Sequence, residues 1–189
     1  MEMTSMEKAK ALALVIVITL SVIFWPTTVS NDDDTALVNP HFNLWKTKAQ
    51  IIFSELTDIA CQQVWSKAEE YGINPTLLLC WIQVESGFDS MAISHKGAVG
   101  LLQIKPSTAR IYDSSVTKSD LFMTDVNVDL ALQHFTYLMS RYQNEALAFT
   151  AYNLGESRLN KLIEMGTGPK FQYYRKIKNL YNETEGGNV

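Results

Sequence analysis

The sequence predicts an all-α fold, a compact set of short helices packed around one buried helix. Three observations support this prediction. Apolar residues recur at steps of three and four along most of the chain, which is the period of amphipathic helices. The segment 75–86 is apolar on most sides, so we expect it at the centre of the fold. The alternating pattern of a half-buried strand occurs nowhere over any length.

The composition is that of one globular domain with short appendages. Hydrophobic residues make up 47% of the 189 residues and charged residues 19%, so the chain can bury a core. A formal net charge of −4 argues against nucleic acid as the main partner. Cys61 and Cys80 lie in apolar helical patterns and are interpreted as buried thiols, although a single disulfide stays open if the domain is exported. The spacing of zinc ligands is absent, and we expect no metal or other cofactor.

Residues 1–30 have the features of an export segment. Two lysines precede an uncharged apolar run over residues 11–25, and three aspartates follow it. This order is typical of a secretory signal peptide, but extending the run to Ser30 gives nearly the length of a membrane-spanning helix. A cleaved signal and a retained anchor therefore both remain open. The charge asymmetry places the rest of the chain outside the cytoplasm, in the periplasm or cell envelope, with any membrane contact made through this segment.

The body begins after a linker, residues 31–44, and its first two helices have clear boundaries. A stripe of apolar residues predicts one helix over residues 45–71, which Gly72 ends. Asn74 and Pro75 then provide an N-cap and a first helical residue for the buried helix. That helix, residues 75–86, ends at Gly87.

A loop with two glycines follows over residues 88–105. Shorter stripes predict the remaining helices, at 106–112, 128–142, 145–152, 156–165 and 171–181. Residues 183–189 are expected to form a flexible tail, so the catalytic body is placed at residues 45–182.

Glu85 is the acidic residue best placed for chemistry. It lies at the C-terminal end of the most apolar helix, near Trp81 and Ile82. Burial disfavours the charged carboxylate, and so does the negative end of the helix dipole, so both effects should raise the pKa of Glu85. A carboxyl group that stays protonated near neutral pH can donate a proton to a glycosidic oxygen. On position alone, a solvated glutamate at a helix end is the more common arrangement.

Five sequence blocks around and after Glu85 carry a resemblance to a known family. They read Glu-Ser-Gly-Phe at 85–88, Ala-Ile-Ser at 92–94, Gly-Ala-Val-Gly-Leu-Leu-Gln at 97–103 with Pro-Ser-Thr-Ala at 106–109, and Ala-Tyr-Asn-Leu-Gly at 151–155. In order and spacing they resemble the soluble lytic transglycosylases, which have a goose-type-lysozyme-like catalytic domain. The resemblance covers about residues 51–181.

The resemblance implies that Glu85 is the catalytic acid and base. It also implies six substrate-binding or orienting residues, namely Ser86, Ser94, Gln103, Tyr152, Asn153 and Tyr173. Ser86 would orient the acid, Ser94 and Gln103 would line the sugar site, and Tyr152 with Asn153 would face the acid. The Tyr152 hydroxyl is expected within reach of the carboxylate.

Several of these positions have alternatives that the sequence leaves open. Ser86 could bond the last turn of its own helix, Gln103 could hold the loop, and Tyr152 could be a core aromatic. The tyrosine of the last helix could be Tyr173 or Tyr174, and we favour Tyr173.

The segment after residue 124 departs from the family pattern. Asp-Val-Asn-Val at 125–128 resembles the family's Asp-Pro-x-x-Asn-Ile region but lacks its proline and is shorter. Asp125, Asn127 and Asp129 also imitate the start of a calcium loop, but a leucine occupies the glycine position and a threonine the final glutamate position. We therefore expect altered local packing and no calcium site.

The resemblance implies cleavage of the glycan strands of peptidoglycan at the β-1,4 bond between N-acetylmuramic acid and N-acetylglucosamine, leaving a 1,6-anhydro end. The alternatives are a hydrolytic muramidase that uses Asp89 as a second carboxylate, and a peptidoglycan-binding envelope protein without catalysis. We expect a monomer, acting alone or with an envelope-spanning assembly.

Overall fold

The computed structural model describes residues 39–54 and 56–186. In these residues the fold is all-α, which confirms the predicted class. Its only strand-like features there are two isolated bridges, between Ile93 and Val99 and between Val99 and Ile104. The helices are α1 Pro40–Ile52, α2 Asp58–Tyr71, α3 Pro75–Ser86, α4 Pro106–Ala109, α5 Thr124–Tyr142, α6 Glu145–Leu154, α7 Glu156–Glu164 and α8 Gln172–Gly186, with a 3-10 turn at Asp120–Phe122.

The central helix is α3, as predicted. The Asn74 side chain accepts hydrogen bonds from the backbone N–H groups of Thr76 and Leu77, and Pro75 occupies the first turn. Gly87 ends the helix in the left-handed conformation, with φ of 61°, which glycine adopts at low cost. Its buried side chains pack mainly against α8 and α2. Its buried stretch, residues 76–82, ends three residues before Glu85, which lies in the less buried last turn.

The single helix predicted over residues 45–71 is two helices. The chain leaves α1 after Ile52, and the Thr57 hydroxyl accepts a hydrogen bond from the Ala60 N–H to cap α2. Phe53 and Leu56 bury their side chains in the turn between them. The apolar period runs across the break, so periodicity alone did not reveal it, although Thr57 followed by an aspartate is a helix-start signal. Helix α1 also begins at Pro40, inside the predicted linker.

The loop between α3 and α4 folds over the buried side chain of Asn127 from α5. Its amide oxygen accepts a hydrogen bond from Leu102 N at 2.8 Å, and its amide nitrogen donates to Val99 O and Leu121 O, both at 2.8 Å. A Cβ atom on Gly100 would lie 2.3 Å from the Asn127 Nδ2 atom, so only glycine fits this approach. Asn127 is thus a structural residue, and it fixes the loop that carries Gln103.

The two cysteines are free thiols and both are buried. Each lies within a packed helix face, as the apolar patterns around them predicted. The last helix, α8, extends through Glu183 to Gly186, so most of the expected tail is helical. The predicted export segment lies outside the described residues. No helix within residues 39–54 and 56–186 is long and apolar enough to cross a membrane.

Candidate active site

Glu85 lies in the last turn of α3 with its carboxyl group against a tyrosine from α8. The Tyr173 hydroxyl donates a hydrogen bond to Glu85 Oε1. The same hydroxyl accepts a hydrogen bond from the Trp81 indole N–H at 2.7 Å. Because Trp81 precedes Glu85 by four residues, it lies on the same face of the helix. The carboxyl is therefore held by a chain of two donors that comes from two helices.

The environment of Glu85 favours the protonated acid. Burial raises the pKa of Glu85 to about 7, against the lowering effects of the Tyr173 hydrogen bond, of Trp81 and of the positive charge of Lys176. Desolvation is the largest of these effects, since it disfavours a carboxylate that is removed from water. At neutral pH a substantial fraction of Glu85 then carries a proton that it can donate.

The wall behind the carboxyl group is aromatic. The Trp81 ring contacts Phe135, Phe149 and Tyr152, with ring centroids 4.9, 5.1 and 4.8 Å apart. Trp81 and Phe149 have no accessible surface, and Phe135 is almost fully buried. These packed rings surround Trp81, which lies beside Glu85 on the same helix face, and burial is the largest cause of the raised pKa of Glu85.

Tyr152 lies near Glu85 but its hydroxyl has another partner. It donates to the backbone oxygen of Leu102 at 2.8 Å. The negative charge of Glu85 still contributes to raising the pKa of Tyr152, which places the two side chains in the same site. The hydroxyl that bonds the carboxyl is that of Tyr173, and the sequence had assigned this place to Tyr152. Asn153, the next residue, is exposed.

Tyr174 is directed elsewhere. Its hydroxyl donates to Glu145 Oε2 at 2.9 Å, on α6. Of the two tyrosines that the sequence left open, Tyr173 is thus the one beside Glu85.

Three further predicted site residues make local hydrogen bonds. The Ser86 hydroxyl donates to Ile82 O at 3.3 Å, within its own helix. Ser94 Oγ accepts from the Ala98 N–H at 3.0 Å. Gln103, whose φ of 49° is in the left-handed region, donates to Ala92 O at 3.2 Å and to Gly100 O at 2.8 Å. These bonds fix the loop beside the site, and the proposed contacts with a sugar stay predictions.

Two residues of the calcium-like triplet make structural contacts. Asn127 is buried on the loop, as described above, and Asp129 pairs with Lys67 at 2.7 Å and accepts from the Tyr71 hydroxyl at 2.9 Å. Within the described part of the chain, no group of three His, Cys, Asp or Glu residues is arranged to hold a metal ion.

Sequence reasoning missed three contributors to this site. Trp81 was named only as an apolar neighbour, although its spacing of four residues from Glu85 indicates a shared helix face. Lys176 follows Tyr173 by three residues and so faces the same way. His134 was not named as a site residue, but its ring packs against Tyr152 with centroids 5.6 Å apart. The first two could have been found once Tyr173 was paired with Glu85.

A family model and the similar curated proteins agree on one family. A family model described as the transglycosylase SLT domain matches residues 63–174. A membrane-bound lytic murein transglycosylase C from Histophilus somni (strain 2336) is 34% identical over 131 residues, which cover 61% of this chain and 35% of that protein. The protein of the same name from Actinobacillus pleuropneumoniae serotype 5b (strain L20) is 28% identical over 112 residues, 51% of this chain and 31% of that protein. The chain thus spans about a third of these relatives.

Two solved structures share the fold. An inactive mutant of the lytic transglycosylase Slt from Pseudomonas aeruginosa has a TM-score of 0.59 at 23% identity, covering 75% of this chain and 26% of that chain. The 70 kDa soluble lytic transglycosylase from Escherichia coli has a TM-score of 0.57 at 19% identity, covering 77% of this chain and 27% of that chain.

Proposed function

The chain belongs to the transglycosylase SLT family, and from this membership we propose that it is an exported lytic transglycosylase that cleaves the β-1,4 bond between N-acetylmuramic acid and N-acetylglucosamine in peptidoglycan. One observation carries the proposal. Glu85 has a pKa of about 7 and is held against an aromatic wall by the Tyr173 hydroxyl. A carboxyl in this state can act first as an acid and then as a base near neutral pH.

In the first step, Glu85 donates its proton to the glycosidic oxygen. The bond from this oxygen to C1 of the muramic acid residue then breaks, and the oxygen leaves as a hydroxyl of N-acetylglucosamine. The positive charge that develops at C1 is supported by the substrate's own N-acetyl group, a substrate-assisted variant of glycoside cleavage. Tyr173 stabilises the carboxylate that Glu85 becomes, since it donates a hydrogen bond to it.

In the second step, the Glu85 carboxylate takes the proton of the muramic acid 6-hydroxyl. The O6 atom bonds to C1 and closes a 1,6-anhydro ring, so no water is consumed and Glu85 regains its proton. Hydrolytic enzymes of this type commonly use a second carboxylate. Asp89, the nearest acid in sequence, is exposed and accepts a hydrogen bond from Met91 N at 2.8 Å, which does not favour that role.

The product distinguishes this reaction from hydrolysis. We expect the full chain, incubated with isolated sacculi, to release muropeptides whose muramic acid ends are lighter by one water than reducing ends, as measured by mass spectrometry. Reducing ends alone would favour a hydrolytic muramidase. Release of no soluble fragment, together with binding to sacculi, would favour a binding protein without catalysis.

Removing the Tyr173 hydroxyl should change both the rate and the pH profile. Tyr173→Phe removes a hydrogen bond that lowers the pKa of Glu85, so the pKa should rise and the loss of kcat/KM at high pH should move to higher pH. The loosened carboxyl should reduce kcat roughly 10- to 100-fold. Tyr174→Phe, whose hydroxyl bonds Glu145, is the matched control and should leave the profile unchanged. Equal profiles for all three proteins would exclude this role for Tyr173.

The cellular place follows from the substrate. Peptidoglycan lies outside the cytoplasmic membrane, and the basic–apolar–acidic order of residues 1–34 is suited to export. The curated relatives quoted above are named as membrane-bound. The catalytic domain, predicted over residues 45–182 and extended by the helical residues up to Gly186, would act as a monomer in the periplasm or envelope.

A further inference from the structure

The indole of Trp81 donates to the hydroxyl that holds Glu85, and the proposed mechanism gives this indole no task. Trp81 Nε1 lies 2.7 Å from the Tyr173 hydroxyl oxygen, and the same hydroxyl bonds Glu85 Oε1. The Trp81 side chain has no accessible surface, so a substrate cannot touch it. Any part that Trp81 takes in the reaction must therefore act through Tyr173 or through the packing of the aromatic wall.

The chemistry of the donors gives these two hydrogen bonds a direction. An indole nitrogen carries one hydrogen and accepts none, so the Tyr173 oxygen is the acceptor in its contact with Trp81. Its single hydrogen remains for Glu85, which is its one other hydrogen-bond partner in the described part of the chain. Because linked hydrogen bonds polarise one another, a hydroxyl that accepts from an indole is also a stronger donor. Tyr173 therefore donates to Oε1 and does not accept from it.

This direction leaves the acid proton of Glu85 to its other carboxyl oxygen. Oε1 already accepts the Tyr173 hydrogen, so a proton carried by Glu85 lies on Oε2. Oε2 has no hydrogen-bond partner among residues 39–54 and 56–186, and no buried side-chain oxygen of these residues lacks a partner. Oε2 therefore reaches the surface, where a glycosidic oxygen can approach it.

We propose that Trp81 is a positioning residue, whose indole N–H keeps Tyr173 a donor to Oε1 and so places the transferable proton of Glu85 on Oε2. This rests on the proposed function, since it names the oxygen from which the first step starts. Without the indole, the Tyr173 hydroxyl can turn and accept a proton from Oε1, which holds that proton away from the substrate. In the part of the chain that the structure describes, the charged or titratable groups that interact with this carboxyl are Tyr173 and Lys176 on α8 and Tyr152 on α6.

Trp81→Phe in the full chain removes the indole N–H and keeps an aromatic ring. We expect kcat on glycan strands to fall about 3- to 10-fold with KM unchanged, the effect of one lost hydrogen bond at a residue that the substrate does not touch. The loss of activity at high pH should also move to higher pH, because a weaker Tyr173 donor stabilises the carboxylate less.

Trp45→Phe is the matched control. It removes another indole N–H, which donates to the Thr76 hydroxyl oxygen at 3.2 Å, and it should alter neither the rate nor the pH profile.

The direction of the pH shift distinguishes positioning from packing. If Trp81 only filled the wall, Trp81→Phe would admit water beside Glu85, reduce its burial and move the profile to lower pH. In a Tyr173→Phe background, where the link to Glu85 is already broken, Trp81→Phe should cause no further shift to higher pH. An unchanged profile, a shift to lower pH, or an equal upward shift in both backgrounds would overturn the proposal.

Nuclear magnetic resonance tests the same hydrogen bonds without substrate and without a substitution at Trp81. In the unsubstituted full chain, the sequentially assigned Trp81 indole N–H signal should shift with pH around pH 7, as Glu85 titrates. Glu85→Gln should abolish this shift, and the Trp45 indole signal should show none. A Trp81 signal that does not depend on pH would exclude its link to Glu85. Failure to cut glycan strands, with a Trp81 signal that titrates, would instead count against the proposed function.

Discussion

Glu85→Gln is expected to reduce the release of muropeptides from isolated sacculi by on the order of 100- to 10,000-fold, the range over which a positioned acid or base contributes to rate. Glutamine has nearly the same size and still accepts a hydrogen bond from Tyr173, so the aromatic wall should keep its structure. It cannot donate a proton at ordinary pH or take one back. Both proposed steps therefore fail together, and the measurement is the initial rate of fragment release at neutral pH.

Asp89→Asn is the matched control for this substitution. It also converts a carboxylate to an amide, four residues further along the chain, where the side chain is exposed and bonded to its own turn. We expect it to keep the full rate. A Glu85→Gln protein that cuts at the original rate would exclude Glu85 as the catalytic acid. A large loss of rate in Asp89→Asn would instead favour a hydrolase with two catalytic carboxylates.

The pH dependence of the unsubstituted enzyme follows from the same carboxyl group. Because the pKa of Glu85 is raised to about 7, the protonated form that starts the reaction dominates below this pH and is lost above it. The pKa of Glu85 is raised because desolvation outweighs the lowering effects of Tyr173, Trp81 and Lys176. An enzyme whose acid had an ordinary carboxyl pKa would already have lost this form at pH 6.

The central helix and the state of Glu85 could be predicted because both depend on local sequence. Asn74, Pro75 and Gly87 are start and stop signals that act within a few residues, and the apolar content of α3 fixed its burial. Burial at the end of such an apolar helix and the negative end of its dipole both act to raise the pKa of a carboxyl there. The helix boundaries missed by the sequence, such as the break before Thr57, are those where the apolar period continues across a turn.

The partner of Glu85 could not be fixed from the sequence, since it depends on how distant helices pack. Tyr152 and Tyr173 both reach the site, from α6 and α8, and the choice between them is decided by Leu102 O, which takes the Tyr152 hydroxyl. A pattern of residues along the chain contains no information on that backbone oxygen. For the same reason, the sequence assigned Gln103 to the sugar site but did not predict its two hydrogen bonds to the loop backbone.

Asn127→Ala is expected to lower the free energy of unfolding by about 3–5 kcal/mol, because it leaves one backbone N–H and two backbone carbonyls buried without partners. For a domain of this size the melting temperature should fall by roughly 10 °C. Asn127→Asp keeps the size of the side chain but places a carboxylate oxygen against Val99 O and Leu121 O, so it should be destabilising as well. Thermal unfolding followed by circular dichroism measures both.

Asn127→Ala should also slow the reaction at the active site. At low temperature, where the protein is still folded, a general loss of stability would not explain a slower reaction. Asn127 holds the Leu102 N–H, and the Leu102 carbonyl holds the Tyr152 hydroxyl, so the loop links α5 to the wall beside Glu85. Well below its melting temperature, Asn127→Ala should therefore still release muropeptides more slowly. Asn182→Ala, at an exposed position of α8, should change stability by less than about 0.5 kcal/mol and leave the rate unaltered. A melting temperature unchanged by Asn127→Ala would mean that the loop does not depend on this amide.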